Sequence, residues 1–159
     1  MSQIAKEEYQ NKTLKPGDER LEAGSGRTAL AFGKIEMQPD TIRKILNGEI
    51  KKGNVQEAAR ITAMMAAKNT SSLFPHCYPT ALTDIQLDIE PSEEQACINI
   101  QAYTRAGGPV GVEMEALTAV TLACLTIYDM CKSTDKQIRI TDVHLVSKTG
   151  GQGGGYRTN

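Results

Sequence analysis

The sequence predicts an α+β protein in which helices cover one face of a sheet. Two kinds of periodicity lead there. Four stretches alternate apolar and polar side chains as half-buried strands do, and three others repeat apolar residues at helical spacing. They interleave as β-α-α-β-β-α-β, the order of a two-layer, ferredoxin-like domain with an antiparallel sheet packed by helices. A chain of 159 residues holds one such domain and its core.

Residues 1–26 are polar and broken by Pro16-Gly17-Asp18 and Gly24-Ser25-Gly26, the composition of a flexible arm. The domain proper is expected over 27–149. Arg27 to Met37 alternates through Ala29, Ala31 and Ile35 as a first strand. Pro39-Asp40 opens a short helix with Ile42, Ile45 and Leu46 on its apolar side, and Asn47-Gly48 closes it. Asn54 is placed to cap a second helix whose buried stripe reads Val55, Ala58, Ala59, Ile61, Thr62, Met65 and Ala66. Leu82 to Ile89 and Ala96 to Ala102 alternate as two strands of a hairpin turning at Glu90-Pro91-Ser92-Glu93. After Gly107-Gly108-Pro109 comes a helix of about 20 residues, then a last strand from Ile138 to Val146 with one irregularity. Residues 150–159 read as a Gly-rich tail, since no helix follows GGQGGG to make a phosphate loop of it.

Composition narrows the function. The 18 basic and 19 acidic residues nearly cancel, so no charge argument points to nucleic acid or a membrane surface. Aromatic residues are 4% of the chain and Trp is absent, so small residues must do much of the packing. Ala116 to Cys131 is interrupted by Thr118, Thr121, Thr126, Tyr128 and Asp129 and is read as too polar for a membrane span. The N-terminus lacks the apolar core of a secretory signal. Cys77, Cys97, Cys124 and Cys131 form no CxxC pair, which suits a reduced, cytoplasmic protein and gives no metal site.

Three groups of residues could carry chemistry. The long helix bears ionisable groups only near its ends, Glu113 and Glu115 at the start and Asp129 and Lys132 at the finish. The helix dipole and an Asp129–Lys132 pair explain such placement without any function. Sixteen residues at 1.5 Å each put Glu113 and Asp129 about 24 Å apart, too far for one compact pocket. If both ends act, a neighbouring copy must bring them together. A second group is basic: Arg27, Lys51, Lys52, Arg60, Lys68 and Lys148, with Lys52 on a turn before a helix start, where anions are favoured. The third is Pro75-His76-Cys77-Tyr78-Pro79, in which two prolines stiffen an extended segment.

Longer motifs reach further. The run RxAxAxG stands at Arg27 to Gly33, KGDV…AR at Lys52-Gly53-Asn54-Val55 and Ala59-Arg60, and AAK at Ala66-Ala67-Lys68. GVEMEALTA…LTIYDMCK occupies Gly111 to Ala119 and Leu125 to Lys132, and KxGG occupies Lys148 to Gly151. Over residues 27 to 155 the chain thereby resembles the molybdenum cofactor biosynthesis protein C family, the cyclic pyranopterin monophosphate synthases.

That resemblance implies a lyase acting on a nucleotide-derived small molecule. Such enzymes convert cyclised dihydro-GTP (3',8-cyclo-7,8-dihydro-GTP) to cyclic pyranopterin monophosphate with release of pyrophosphate. It further implies no redox cofactor and a homo-hexamer, a trimer of dimers with shared pockets. By position it assigns catalysis to Asp129, Lys52 and Lys132, and substrate contact to His76, Cys77, Tyr78, Glu113, Met114, Glu115, Lys68, Lys148 and Arg27. The chain also departs from the pattern. Tyr78 stands where the family has His, Asn54 replaces the Asp of KGDV, Asn69 replaces an Arg, and Gln152-Gly153 replaces KS. In the N-terminal motif Asp18 keeps its place, while Arg20 and Glu22 replace Ser and Lys. A phenol titrating near 10 cannot serve as a neutral-pH base. The alternative is therefore an impaired homologue that keeps fold, assembly and ligand binding.

Overall fold

A computed structural model describes residues 26–150 and 154–158; residues 1–25 of the expected arm (1–26), and residues 151–153 and 159 of the expected tail, lie outside it. Strand β1 (Arg27–Glu36) is followed by α1 (Pro39–Leu46) and α2 (Val55–Lys68), then a short 3-10 turn at Thr70–Ser72. The hairpin β2 (Leu82–Ser92) and β3 (Cys97–Ala106) precedes the long helix α3 (Glu113–Cys131), which leads into β4 (Arg139–Thr149) and β5 (Tyr156–Arg157). The sheet runs β2-β3-β1-β4-β5 with every pairing antiparallel. The expected ferredoxin-like α+β fold is therefore present, with β1 between β3 and β4 in its centre.

The small residues act where α3 lies on the sheet. Ala29, Ala31 and Ile35 of β1 share a face with Gly33, where an added Cβ would sit 3.4 Å from Cys124 Sγ and 3.4 Å from Val120. Ala116, Ala119, Val120, Ala123, Cys124 and Ile127 of α3 are all buried there. Burial pushes the Cys124 thiol up to about 12 and the Cys131 thiol up to about 11, so both are inert packing groups. By length and hydropathy alone α3 could cross a membrane, contrary to the reading from its threonines, yet 56% of an 18-residue stretch of it is buried within the domain. It is a core helix.

Asn54 caps α2 as expected, its side chain accepting the Glu57 N–H at 3.1 Å. The buried stripe of α2 differs from the expected one. Ala59, Ala63, Ala66 and Ala67 are buried with Val55, whereas Ile61 is 52% and Met65 60% exposed. The alanines face the core, where two helices and a sheet meet closely, and the larger apolar side chains point out.

The β2–β3 turn falls at residues 93–96, three residues later than the sequence suggested. Pro91 lies within β2, opposite Ile98. Proline is tolerated there because β2 is an edge strand and its missing N–H would have faced outward. Two side chains of α2 cover that edge: Arg60 Nη1 donates to Leu87 O at 2.7 Å, and Gln56 Nε2 to Ile89 O at 3.5 Å. Arg60 thus has a structural task outside the basic group proposed for it. At the opposite edge, Tyr156–Arg157 returns to pair with Ser147 and Lys148, a strand that the tail composition concealed.

Helix α1 has no side-chain cap of its own at Gln38. Asp135, only 5% exposed, supplies one from afar, accepting Gln38 N–H at 2.8 Å, Thr41 Oγ1 at 3.0 Å and Gln137 N–H at 2.8 Å. Burial raises this carboxyl, but these three donors outweigh it and leave its pKa below the ordinary value. Asp135→Ala is expected to cost about 3 kcal/mol, because two backbone N–H groups and a buried hydroxyl lose their acceptor. A group with a lowered folded pKa stabilises above its unfolded pKa and loses that contribution as pH falls through the folded one. The melting temperatures of wild type and variant should accordingly stay apart at pH 7 and converge on acidification below the ordinary carboxylate range.

Candidate active site

The ends of α3 carry two separate charged clusters. At its C-terminal end, Lys132 Nζ lies 2.7 Å from Asp129 Oδ1, and Lys52 Nζ lies 2.9 Å from the Asp129 backbone carbonyl and 3.5 Å from Oδ2. Lys132 follows one turn after Asp129 on the helix, while Lys52 comes from the turn before α2. Gly53 makes that turn possible, at φ +116°, just ahead of the Asn54 cap. Hydrogen bonding and charge from Lys132, then charge from Lys52, hold the Asp129 carboxyl below its usual range. It is an exposed anion flanked by two ammonium groups. A cavity of about 330 Å³ opens beside Lys52, lined also by Lys44, Lys51, Ser133 and Thr134. A larger hollow of about 510 Å³ lies at the β2–β3 hairpin, near Gln56, Glu90 and Asn99, and meets neither cluster.

At the N-terminal end, Lys148 Nζ of β4 lies 2.7 Å from Glu113 Oε1. Burial pushes the Glu113 carboxyl up, but the Lys148 hydrogen bond, its own backbone N–H and the charges of Lys148 and Arg27 bring it below the ordinary value. Arg27 Nε donates to Pro109 O at 3.1 Å, and its guanidinium lies over Gly150, where an added Cβ would have to displace it. Gly150 adopts φ +81°, which favours glycine on its own account. Arg27 therefore fastens the 107–111 loop and the end of β4 around Glu113, a task that the sequence did not reveal. Met114 stands at the surface and Glu115 lies beneath it.

The pairing of Lys52 with Asp129 sets the start of α2 beside the end of α3, so the two helices run antiparallel. Lys68 ends α2, and the 3-10 turn after it contacts α3. His76, Cys77 and Tyr78 sit in the loop beyond, where Tyr78 is 72% exposed. Among the described residues, no hydrogen bond or ion pair joins their side chains to either cluster. One chain thus gathers Lys52, Asp129 and Lys132 at one end and Arg27, Glu113 and Lys148 at the other.

Acid and base groups clustered at the two ends of a core helix, laid on an antiparallel sheet, make those ends the candidate site for acid–base and anion chemistry. Residues 21–151 match the MoaC family. A protein named cyclic pyranopterin monophosphate synthase from Desulfatibacillum aliphaticivorans is 52% identical over 130 residues, 82% of either chain. One of the same name from Methylobacterium sp. (strain 4-46) is 48% identical over 84% of either chain. Another from Salinibacter ruber is 43% identical over 89% of this chain and 83% of the other. The chain belongs to the MoaC family, and molybdenum cofactor biosynthesis is its setting.

Proposed function

We propose that this chain is a cytoplasmic cyclic pyranopterin monophosphate synthase, converting cyclised dihydro-GTP to cyclic pyranopterin monophosphate and pyrophosphate in a pocket assembled from two subunits. The observation that carries this reading is the division of charge between the two ends of α3. Opening a nucleotide-derived ring and expelling pyrophosphate needs proton transfer together with positive charge around developing anions. Asp129, Lys52 and Lys132 supply the first at one end, with Asp129 the catalytic carboxylate. Lys148, Arg27 and Lys68 supply the second at the other, with Glu113 and Met114 contacting substrate.

A second copy laid antiparallel along α3 would set the Asp129 end of one subunit against the Glu113 end of the next. Met114, Leu125 and Tyr128 are exposed along one stripe of α3, and Ile61 and Met65 are exposed on α2 beside it. Such a stripe suits burial by another subunit. The proposed assembly is the hexamer of the family, a trimer of dimers. The exposed His76–Cys77–Tyr78 loop would then serve a neighbour's pocket.

Tyr78 at the family's His position favours a second reading, an impaired homologue that binds but does not turn over. Incubation of the purified protein with the cyclised GTP intermediate separates the two. Release of pyrophosphate and of a product oxidisable to a fluorescent pterin supports the synthase. No turnover in the wild type, with activity appearing in Tyr78→His, establishes the impaired homologue.

A further inference from the structure

Glycine is expected where the chain needs a positive φ, yet Gly111, at the entrance to α3, has none. Its lack of a side chain answers to a neighbour instead. The three atoms closest to a Cβ added at Gly111 all belong to the Glu113 carboxyl: the added atom would overlap Oε2 and lie 2.9 Å from Cδ and 3.0 Å from Oε1. Elsewhere in the same loop, a Cβ added at Gly107 or Gly108 would meet nothing within 4 Å. The Glu113 side chain is thus folded back over Gly111. There it accepts its own backbone N–H, and its Oε1 lies 2.7 Å from Lys148 Nζ.

We propose that Gly111 is a positioning residue: its bare Cα is the seat on which the Glu113 carboxylate folds back over the start of α3 and holds Lys148 in place. Val112, the residue before the helix, offers no side-chain cap, so the carboxylate comes to the vacant helix start, where the dipole favours a negative charge. The backbone beside the seat is fixed from within the core. Val112 is fully buried, and its carbonyl accepts the Ala116 N–H at 3.2 Å and the hydroxyl of Thr104, from β3, at 2.9 Å. A methyl group added at Gly111 therefore meets an anchored chain on one side and the end of a flexible side chain on the other. The flexible end gives way, and the Glu113 carboxylate leaves Lys148.

The consequence rests on the reading of this end of α3 as half of the active site. With the carboxylate seated, Glu113 and Lys148 meet the substrate as a fixed pair. With it displaced, both are long unrestrained side chains that binding must order again, at a cost in affinity. Gly111 thereby supports substrate binding rather than the chemical step, which falls to the Asp129 end.

The test asks whether Gly111→Ala acts through Glu113. Its KM is expected to rise roughly tenfold, the scale of one charge-assisted hydrogen bond, with kcat within about threefold of wild type. In a Glu113→Ala background, where no carboxylate occupies the seat, the same substitution should leave KM unchanged. A rise in KM that persists there marks a loop defect and overturns the proposal. A titration decides even where Glu113→Ala is too slow to assay. In protein labelled with 13C at the glutamate side-chain carboxyl, Glu113→Gln identifies the Glu113 resonance. Glu113 should titrate below the exposed glutamates in wild type and with them in Gly111→Ala, while Gly108→Ala leaves its midpoint alone. A Glu113 that already titrates with the exposed glutamates in wild type, or a midpoint indifferent to Gly111→Ala, overturns the proposal. The expected shift in a protein without turnover would instead leave this inference standing and sink the synthase reading. If Gly111→Ala does not fold, the double variant Gly111→Ala, Glu113→Ala decides: recovery of the fold supports the seat, and failure to recover overturns it.

Discussion

Asp129→Asn is expected to lower kcat by roughly 10²–10⁴-fold, the scale of a lost acid–base or charge-stabilising group, while assembly and melting temperature stay near wild type. The substitution keeps the shape of the side chain and removes its charge. Lys52 and Lys132 hold Asp129 as an anion, and in the variant both lose the group that orients them. Because all three side chains are substantially exposed, with relative exposures of 46–60%, the fold has little stake in the pair. Steady-state turnover of the cyclised GTP intermediate, set beside a thermal melt, checks both halves. A variant with unimpaired kcat would remove Asp129 from the chemistry.

The second large effect concerns the distance between the clusters. Glu113 and Asp129 are sixteen residues apart on one straight element, about 24 Å at the helical rise. If each pocket takes one end from either subunit, Asp129→Asn and Lys148→Met should each be inactive alone and recover activity when mixed. In a random one-to-one reassembly of a two-fold interface, about a quarter of the pockets combine two intact ends. Activity near that fraction of wild type, appearing only after subunits exchange, is the expected result. Complete failure of the mixture, with exchange verified by mass, would confine each pocket to one chain.

Much of the fold was legible because periodicity and capping act locally. The apolar run from Ala116 to Cys131 announced α3 whatever it packed against, and Asn54 marked the start of α2 by its own chemistry. What escaped was decided at a distance. Ile61 and Met65 belong to an apolar stripe by spacing, yet the alanines beside them won the core because α3 and the sheet come too close for larger groups. Pro91 looked like a turn until the edge position of β2 made its missing N–H harmless. Asp135, ninety-four residues from Thr41, caps α1 only because the chain returns there. In the candidate site, motif spacing named the ionisable residues. It could not show that Arg27 fastens a loop, or that Glu115 is buried while Glu113 is not.

The covered edge of β2 has one more consequence. Sheet proteins with bare margins are open to unlimited strand-by-strand growth, the route to fibres. Here Arg60 and Gln56 occupy the outward carbonyls of Leu87 and Ile89, and the short return of Tyr156–Arg157 pairs with Ser147 and Lys148 at the other margin. Strand addition is thereby obstructed at these positions of both margins.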